Sequence, residues 1–187
     1  KENDFSLKKQ SSLFFKEVHA DEISTSYDAS AGYIIVDLDS GKVLAEKNAN
    51  QPLPIASITK IMTAVVALDL AEPSDLFTIS KQAAAYPPSK INVVPGEKMT
   101  LEELLNASLI ASANDATEEI RISIGEKYKN EIFIMAMNEK AAFLGMKNTH
   151  FTNPQGFDYQ NNSSSPADLA ILTSYALKNY PLIAEIV

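Results

Sequence analysis

The chain has 187 residues, 45% of them apolar and 21% charged, with a formal net charge of -8. This length and composition are those of one globular domain with a substantial core. The acidic balance argues against nucleic acid as a partner, because phosphate binding requires a concentrated basic surface. The absence of cysteine excludes thiolate metal sites, thiol catalysis and disulfides. Since His19 and His150 are the only histidines, a metal site built from several imidazoles is not expected.

The first elements predicted along the chain are two strands that follow a segment of mixed composition. We interpret residues 1–28 as an N-terminal extension and residues 29–187 as the main domain. Residues 31–39 are rich in β-branched and aromatic side chains, and residues 42–47 again combine polar and apolar side chains. Between them, residues 39–41 are Asp-Ser-Gly, which favours a turn. This pattern predicts a β-hairpin. No third strand is evident, so the hairpin must pack against something else to be stable.

Helices are predicted for most of the remaining chain. The helix that begins at Ile58 is apolar on almost every side, which is typical of a helix in the middle of a domain. Thr100 and Glu103 form a capping box, while Gly125 and Gly145 are expected to end helices. Residues 81–96 contain three prolines and are predicted to be irregular, and one more element begins near residue 180. The predicted helices cover residues 58–70, 101–111, 115–124, 128–144 and 165–178.

The first residues that suggest chemistry are Ser57 and Lys60, in the order Ser-Ile-Thr-Lys at the start of the predicted buried helix. Residues three apart share one helix face, so the hydroxyl and the amine can approach each other. The helix N-terminus favours negative charge on the serine oxygen, and a desolvated, deprotonated lysine can accept the serine proton. This pair predicts an activated nucleophile that needs no histidine, although S-x-x-K alone also arises by chance.

A second cluster, Ser112-Ala113-Asn114, lies where one predicted helix ends and the next begins. A loop between helices can direct a hydroxyl and a carboxamide into a cleft. There Ser112 would relay a proton, and Asn114 would hold a substrate carbonyl and the lysine. The alternative is an ordinary helix cap, in which these side chains have no chemical role.

Both clusters and their surroundings resemble the low-molecular-mass D-alanyl-D-alanine carboxypeptidases, the penicillin-binding serine enzymes of peptidase family S11. The resemblance is colinear from about Ser30 to the last residue. It implies a β-lactamase/transpeptidase-like fold of the α/β (α+β) class, here with an N-terminal hairpin and a helical region but without the remaining strands of the sheet. The segments that carry it are residues 54–64, 112–116, 137–141 and 145–154.

The resemblance also implies roles for individual residues. Ser57 would be the acylated nucleophile and Lys60 its base, with Ser112 relaying a proton and Asn114 positioning substrate. The backbone N–H of Ser57 would form half of the oxyanion hole. The implied reaction removes the terminal D-alanine from peptidoglycan stem peptides ending in D-Ala-D-Ala, and water then hydrolyses the acyl-enzyme. β-Lactam antibiotics would acylate the same serine, and no metal or organic cofactor is implied.

The third motif of the family, Lys-Thr-Gly, occurs nowhere in the sequence, and neither does Lys-Ser-Gly. In the family it lies downstream of the segment that matches residues 165–187. The resemblance therefore implies that this chain is the N-terminal part of the catalytic domain, or that the remainder is a separate chain. A naturally shortened, inactive relative is the alternative. The substrate-carboxylate site is incomplete without this motif, so the chain need not be active alone.

Other functions are compatible with the same residues. Endopeptidase cleavage of peptide cross-links would use the same residues. A class A β-lactamase would need a glutamate-containing loop to activate the deacylating water, and no segment resembles one. A non-catalytic peptidoglycan-binding module would keep the fold without the chemistry. The substrate implies an extracytoplasmic location, either periplasmic or on the outer face of the cytoplasmic membrane, with the signal segment and any membrane tether outside this chain. His150 is interpreted as structural.

Overall fold

The computed structural model describes residues 29–128, 132–158 and 161–187. The predicted extension at residues 1–28 lies outside the described residues. The strands are β1 (Tyr33–Val36), β2 (Val43–Lys47), β3 (Leu53–Pro54), β4 (Leu76–Thr78), β5 (Lys98–Thr100) and β6 (Ser163–Ser164). The α-helices are α1 (Thr59–Leu70), α2 (Lys81–Ala84), α3 (Leu101–Ile110), α4 (Asn114–Tyr128), α5 (Ile132–Phe143), α6 (Pro166–Asn179) and α7 (Pro181–Ile186).

The helix α1 lies at the centre of the core, as its apolar composition predicts. Met62, Val65 and Ala67 have no exposed surface, and α1 packs against α3, α4, α5 and α6. Burying a large apolar side chain contributes roughly 1.5–3 kcal/mol, so this helix is a major source of stability. A 3₁₀ turn, Ala56–Ile58, precedes α1 and carries Ser57. The core thus holds the start of α1, and the serine before it, in a defined position.

The strands form three separate two-stranded antiparallel sheets, β1–β2, β3–β6 and β4–β5. The predicted hairpin is confirmed as β1–β2, which packs on α6. Among the described residues no third strand joins this hairpin, but the expectation of helices alone after it is wrong, because four more strands pair elsewhere. The four additional strands have only two or three residues each. Strands of this length are too short to show the alternation by which a strand is recognised in a sequence.

The helix boundaries follow the predicted capping signals at most positions. The capping box of α3 is present, with Thr100 Oγ1 accepting from Glu103 N at 3.2 Å and Thr100 N donating to Glu103 Oε2 at 2.8 Å. Ser165 Oγ accepts from Asp168 N at 3.2 Å at the start of α6. Gly145, with φ of 75°, follows α5 as predicted. These local contacts explain why the sequence locates the helix ends.

Two helix predictions need correction. Gly125 does not end its helix, because α4 continues to Tyr128 with Gly125 buried inside it. A glycine inside a helix costs about 1 kcal/mol relative to alanine, and packing of the buried face outweighs that amount. Residues 81–96 are not wholly irregular, since they contain α2, capped by Ser80 Oγ accepting from Ala83 N at 3.0 Å. The helix predicted over residues 128–144 is described only from Ile132.

The longest described helix, α4, has 15 residues and carries several charged side chains. Within the described part of the chain, no helix combines the length and the apolar character needed to cross a bilayer.

Candidate active site

Lys60 lies at the centre of a group of polar side chains at the beginning of α1. It is 2% exposed, and its Nζ lies within hydrogen-bonding distance of three neutral acceptors. These are Ser57 Oγ at 3.1 Å, Asn114 Oδ1 at 2.9 Å and the main-chain oxygen of Gln155 at 2.9 Å. No ion pair among the described residues involves Lys60. Burial lowers the pKa of Lys60 from 10.5 to about 8, because a dry environment disfavours the ammonium form.

The hydroxyls of Ser57 and Ser112 meet in front of this lysine. Ser112 Oγ donates to Ser57 Oγ at 2.8 Å, with Ser57 exposed and Ser112 half-buried. Ser112 lies in the connection between α3 and α4 with φ of 52°, a left-handed conformation that costs a non-glycine residue roughly 1 kcal/mol. Such conformations are concentrated at functional sites. The loop therefore holds Ser112 in a conformation that directs its hydroxyl onto Ser57.

Asn114 is held at the first position of α4 by contacts on two sides. Its Nδ2 donates to Pro88 O at 2.9 Å, and its backbone N donates to Ser89 O at 2.8 Å. These contacts orient the amide so that Oδ1 faces Lys60. The side chains of Ser112 and Asn114 thus contact the lysine site instead of serving as plain helix caps. All four predicted site residues converge: Ser57, Lys60, Ser112 and Asn114.

Sequence reasoning missed the loop that closes the far side of the site. Gln155 supplies a main-chain acceptor to Lys60, and Gly156, with φ of 95°, packs directly under the turn that carries the serine. A Cβ atom on Gly156 would collide with the Ala56 carbonyl and lie 3.0 Å from Ser57 N. The turn signal at residues 153–156, an Asn-Pro pair followed by glycine, could have located this tight loop.

Two further groups near the site have structural contacts: His150 pairs through its main chain, and Tyr86 packs on the loop at residues 153–157. The main chain of His150 pairs with Ser163, at 2.9 Å and 3.0 Å, beside β6. The ring of Tyr86 faces that of Phe157, with 6.1 Å between ring centroids. Across the described ranges, no group of three or more His, Asp or Glu side chains is arranged to hold a metal ion.

Comparison with known proteins places this chain in a family. The family model described as D-alanyl-D-alanine carboxypeptidase, peptidase family S11, matches residues 17–187. The chain belongs to this family. The match covers the segment that contains the 3₁₀ turn, α1, the α3–α4 connection and the loop at residues 153–157. The predicted family and the penicillin-binding, transpeptidase-like fold class are both confirmed.

Individual members of the family differ in their named activities. The D-alanyl-D-alanine carboxypeptidase DacF of Bacillus subtilis is 39% identical over 150 residues, which are 78% of this chain and 38% of that protein. A D-alanyl-D-alanine endopeptidase of Pseudomonas aeruginosa is 34% identical over 165 residues, 84% of this chain and 50% of that protein. The crystal structure of the carboxypeptidase DacD from Francisella tularensis superimposes with a TM-score of 0.81 at 28% identity, covering 95% of this chain and 43% of that one. The chain spans half or less of the length of each of these three proteins.

Proposed function

We propose that this chain carries the nucleophile and the base of a serine-type D-alanyl-D-alanine carboxypeptidase. The observation that supports it best is Lys60, buried among neutral groups with its Nζ 3.1 Å from Ser57 Oγ. A lysine in this environment can be neutral near physiological pH and can then take a proton. Residues 29–187 are proposed to form part of the catalytic domain of the whole protein.

Lys60 Nζ donates in all three of its contacts, to Ser57 Oγ, Asn114 Oδ1 and the main-chain oxygen of Gln155. A neutral amine has only two N–H groups and one lone pair, so we propose that on losing a proton Lys60 keeps its contacts to Asn114 and Gln155 and turns its lone pair to the hydroxyl of Ser57. Ser57 Oγ meanwhile accepts from Ser112. In that neutral form the hydrogen of Ser57 would point at the nitrogen that is to receive it, and the serine oxygen would be free to attack as the proton leaves.

The proposed reaction proceeds through an acyl-enzyme. Ser57 Oγ attacks the carbonyl carbon of the D-Ala-D-Ala bond as its proton passes to Lys60, and the backbone N–H of Ser57 supports the oxyanion. The C–N bond then breaks, and the proton reaches the departing D-alanine amine through Ser112. Water hydrolyses the ester to release the shortened peptide. Asn114 is proposed to position the substrate as well as the lysine.

Endopeptidase activity on peptide cross-links is the second candidate function. It is favoured by the Pseudomonas aeruginosa relative, which is named a D-alanyl-D-alanine endopeptidase. Both activities would use the same serine, lysine and asparagine. They differ in whether the departing amine belongs to a free D-alanine or to a second peptide. Release of free D-alanine from a peptide ending in D-Ala-D-Ala, compared with cleavage of a cross-linked dimer, separates them.

The proposed partners are peptidoglycan stem peptides ending in D-Ala-D-Ala and β-lactam antibiotics, which mimic them. Such a substrate implies action outside the cytoplasmic membrane.

Incubation of the whole protein that contains this chain with benzylpenicillin tests the proposal directly. We expect the intact mass of the protein to increase by one penicilloyl group, and peptide mapping to place that group on Ser57. The matched control is Ser57→Ala, which removes the single Oγ atom and should remain unmodified. The absence of an adduct, or an equal adduct on Ser57→Ala, would contradict the proposed function.

The acylation rate is expected to rise with pH through about 8, the pKa of Lys60. Below this value the amine carries a proton and cannot accept another, so the rate should fall about tenfold per pH unit. Above it the neutral form predominates and the rate should reach a plateau. A fluorescent penicillin followed between pH 6 and 10 measures this profile. A rate independent of pH over that interval would show that Lys60 is not the base.

A further inference from the structure

Glu118 lies on α4, one turn beyond Asn114, and is almost completely buried. It is 3% exposed, and both of its carboxylate oxygens are saturated with donors. Oε1 accepts from Arg121 Nη2 at 2.6 Å and from Gln82 Nε2 at 2.9 Å. Oε2 accepts from Arg121 Nε at 3.0 Å and from Gln155 Nε2 at 2.7 Å. The paired arginine compensates the charge of this carboxylate, which makes its burial tolerable.

Gln155 connects this carboxylate to the lysine. Its side chain binds Glu118, while its main-chain oxygen, 2.9 Å from Lys60 Nζ, faces the opposite way. Within the described residues, Gln155 Oε1 is buried without a hydrogen-bond partner. An unsatisfied buried acceptor costs about 1–3 kcal/mol. The amide keeps this orientation because the reverse one would place its oxygen against the carboxylate.

We propose that Glu118, acting through the side chain of Gln155, is a positioning residue for Lys60. It holds the loop at residues 153–157 against the lysine, so that the Gln155 carbonyl accepts one N–H and the loop keeps water from Nζ. Two further contacts fix the same loop, since Thr63 Oγ1 donates to Pro154 O at 2.7 Å and Gly156 N donates to Asn153 Oδ1 at 2.7 Å. Glu118 provides the anchor nearest to the lysine contact. The inference rests on the proposed function, in which Lys60 is the base.

Of the charged groups near Lys60, Glu118 is the carboxylate that is connected to it, through Gln155. Arg121 is engaged with Glu118 itself. Five carboxylates on α1, and on the helices that pack against it, have partners elsewhere: Asp69 with Lys140, Glu103 with Thr100, Asp115 with Val93, Glu119 with Ser80 and Asp168 with Thr149. Neutralising Glu118 leaves the charge of Arg121 unpaired, which by itself would lower the pKa of Lys60. A rise in the pKa of Lys60 on altering Glu118 therefore reports on the loop between them.

The test compares Glu118→Gln with Glu119→Gln. Glu118→Gln retains the shape of the side chain but replaces one of its two acceptor oxygens by an amide NH₂. Either Arg121 or Gln155 then loses its acceptor. The neighbouring Glu119 is as deeply buried, at 1% exposed, yet it binds Ser80 N and Ser123 Oγ, both at 2.7 Å, instead of the loop. It therefore controls for the general effect of neutralising a buried carboxylate on α4.

Two readouts are measured on each variant: the pKa of Lys60, from the pH dependence of its ¹³Cε chemical shift, and the rate of acylation by benzylpenicillin. With Glu118→Gln, the loosened loop should admit water to Nζ. We expect the pKa of Lys60 to rise by about one pH unit, since desolvation is what lowers it. We expect acylation at pH 8 to slow by about tenfold or more, because small displacements of a catalytic group are costly. Glu119→Gln should leave both quantities at their wild-type values.

A second variant keeps the proposal testable if Glu118→Gln folds poorly. Gln155→Met removes the amide but retains the carbonyl that binds Lys60, and it should produce the same change in pKa and rate. The double variant should be no worse than either single one, because both break one linkage. A Lys60 pKa that is unchanged in both variants, or moved equally by Glu119→Gln, would overturn the inference. Failure of the wild-type protein to be acylated would instead contradict the proposed function, while the titration of Lys60 would still decide this inference.

Discussion

Replacing Lys60 by methionine is expected to lower the rate constant of acylation by benzylpenicillin by about 10²–10⁴-fold, the usual contribution of a general base. Methionine fills a space similar to that of the aliphatic part of lysine and packs adaptably in a core. Its thioether cannot accept the proton of Ser57, whose Oγ lies 3.1 Å from Nζ in the native site. The rate should be measured at pH 9, where the native lysine, with a pKa of about 8, is mostly neutral.

The matched control is Lys140→Met. Lys140 lies on α5 and pairs with Asp69 of α1 at 2.8 Å. Among the described residues it forms no ion pair or hydrogen bond with the four site residues. We expect its acylation rate to equal that of the wild-type protein. Thermal denaturation of both variants checks that each is folded. A Lys60→Met protein that is folded and acylated at the native rate would exclude Lys60 as the base.

Replacing Gly156 by alanine is expected to lower the free energy of unfolding by about 3 kcal/mol and to abolish acylation. The first cause is the backbone, since φ of 95° is unfavourable for any residue with a Cβ. The second is space, because the added methyl would collide with the Ala56 carbonyl beside the nucleophile. Either the loop or the turn must move, and the contact between Gln155 and Lys60 would move with it. Urea denaturation gives the change in stability.

Gly41→Ala separates the two causes. Gly41 has φ of 70°, but nothing lies within 4 Å of the position that its Cβ would occupy. We therefore expect a loss of about 1 kcal/mol from the backbone alone, with acylation unaffected. Equal destabilisation by the two substitutions would show that close packing under Ala56 contributes nothing.

The site combines strained positions with a rigid core. Ala56, which precedes the nucleophile in the sequence, has a positive φ of 44°. Ser112, whose hydroxyl contacts the nucleophile, has a positive φ of 52°. The interior faces of α1 and α4 hold these turns in place. A site of this kind needs little rearrangement before reaction, because the nucleophile, the base and the relay hydroxyl are already in contact.

Much of the helical architecture could be predicted, because its signals are local. Apolar positions around α1 indicated a buried helix, and Thr100 with Glu103 located the start of α3. The short strands could not be found, since two or three residues have no recognisable period. Gly125 was misread as a helix end because glycine is unfavourable in an isolated helix, whereas in this protein the packing of α4 outweighs that preference.

The family could be inferred from the resemblance of colinear sequence segments. The pairing of Ser57 with Lys60 could be inferred from their spacing, because three residues along a helical turn bring two side chains together without help from the rest of the chain. The approach of Asn114 and Gln155 to the lysine required the folded structure, since they lie 54 and 95 residues away in the sequence. The lowered pKa of Lys60 depends on the same packing. Its cause is the exclusion of water by segments distant in sequence, and no local pattern records which segments will meet.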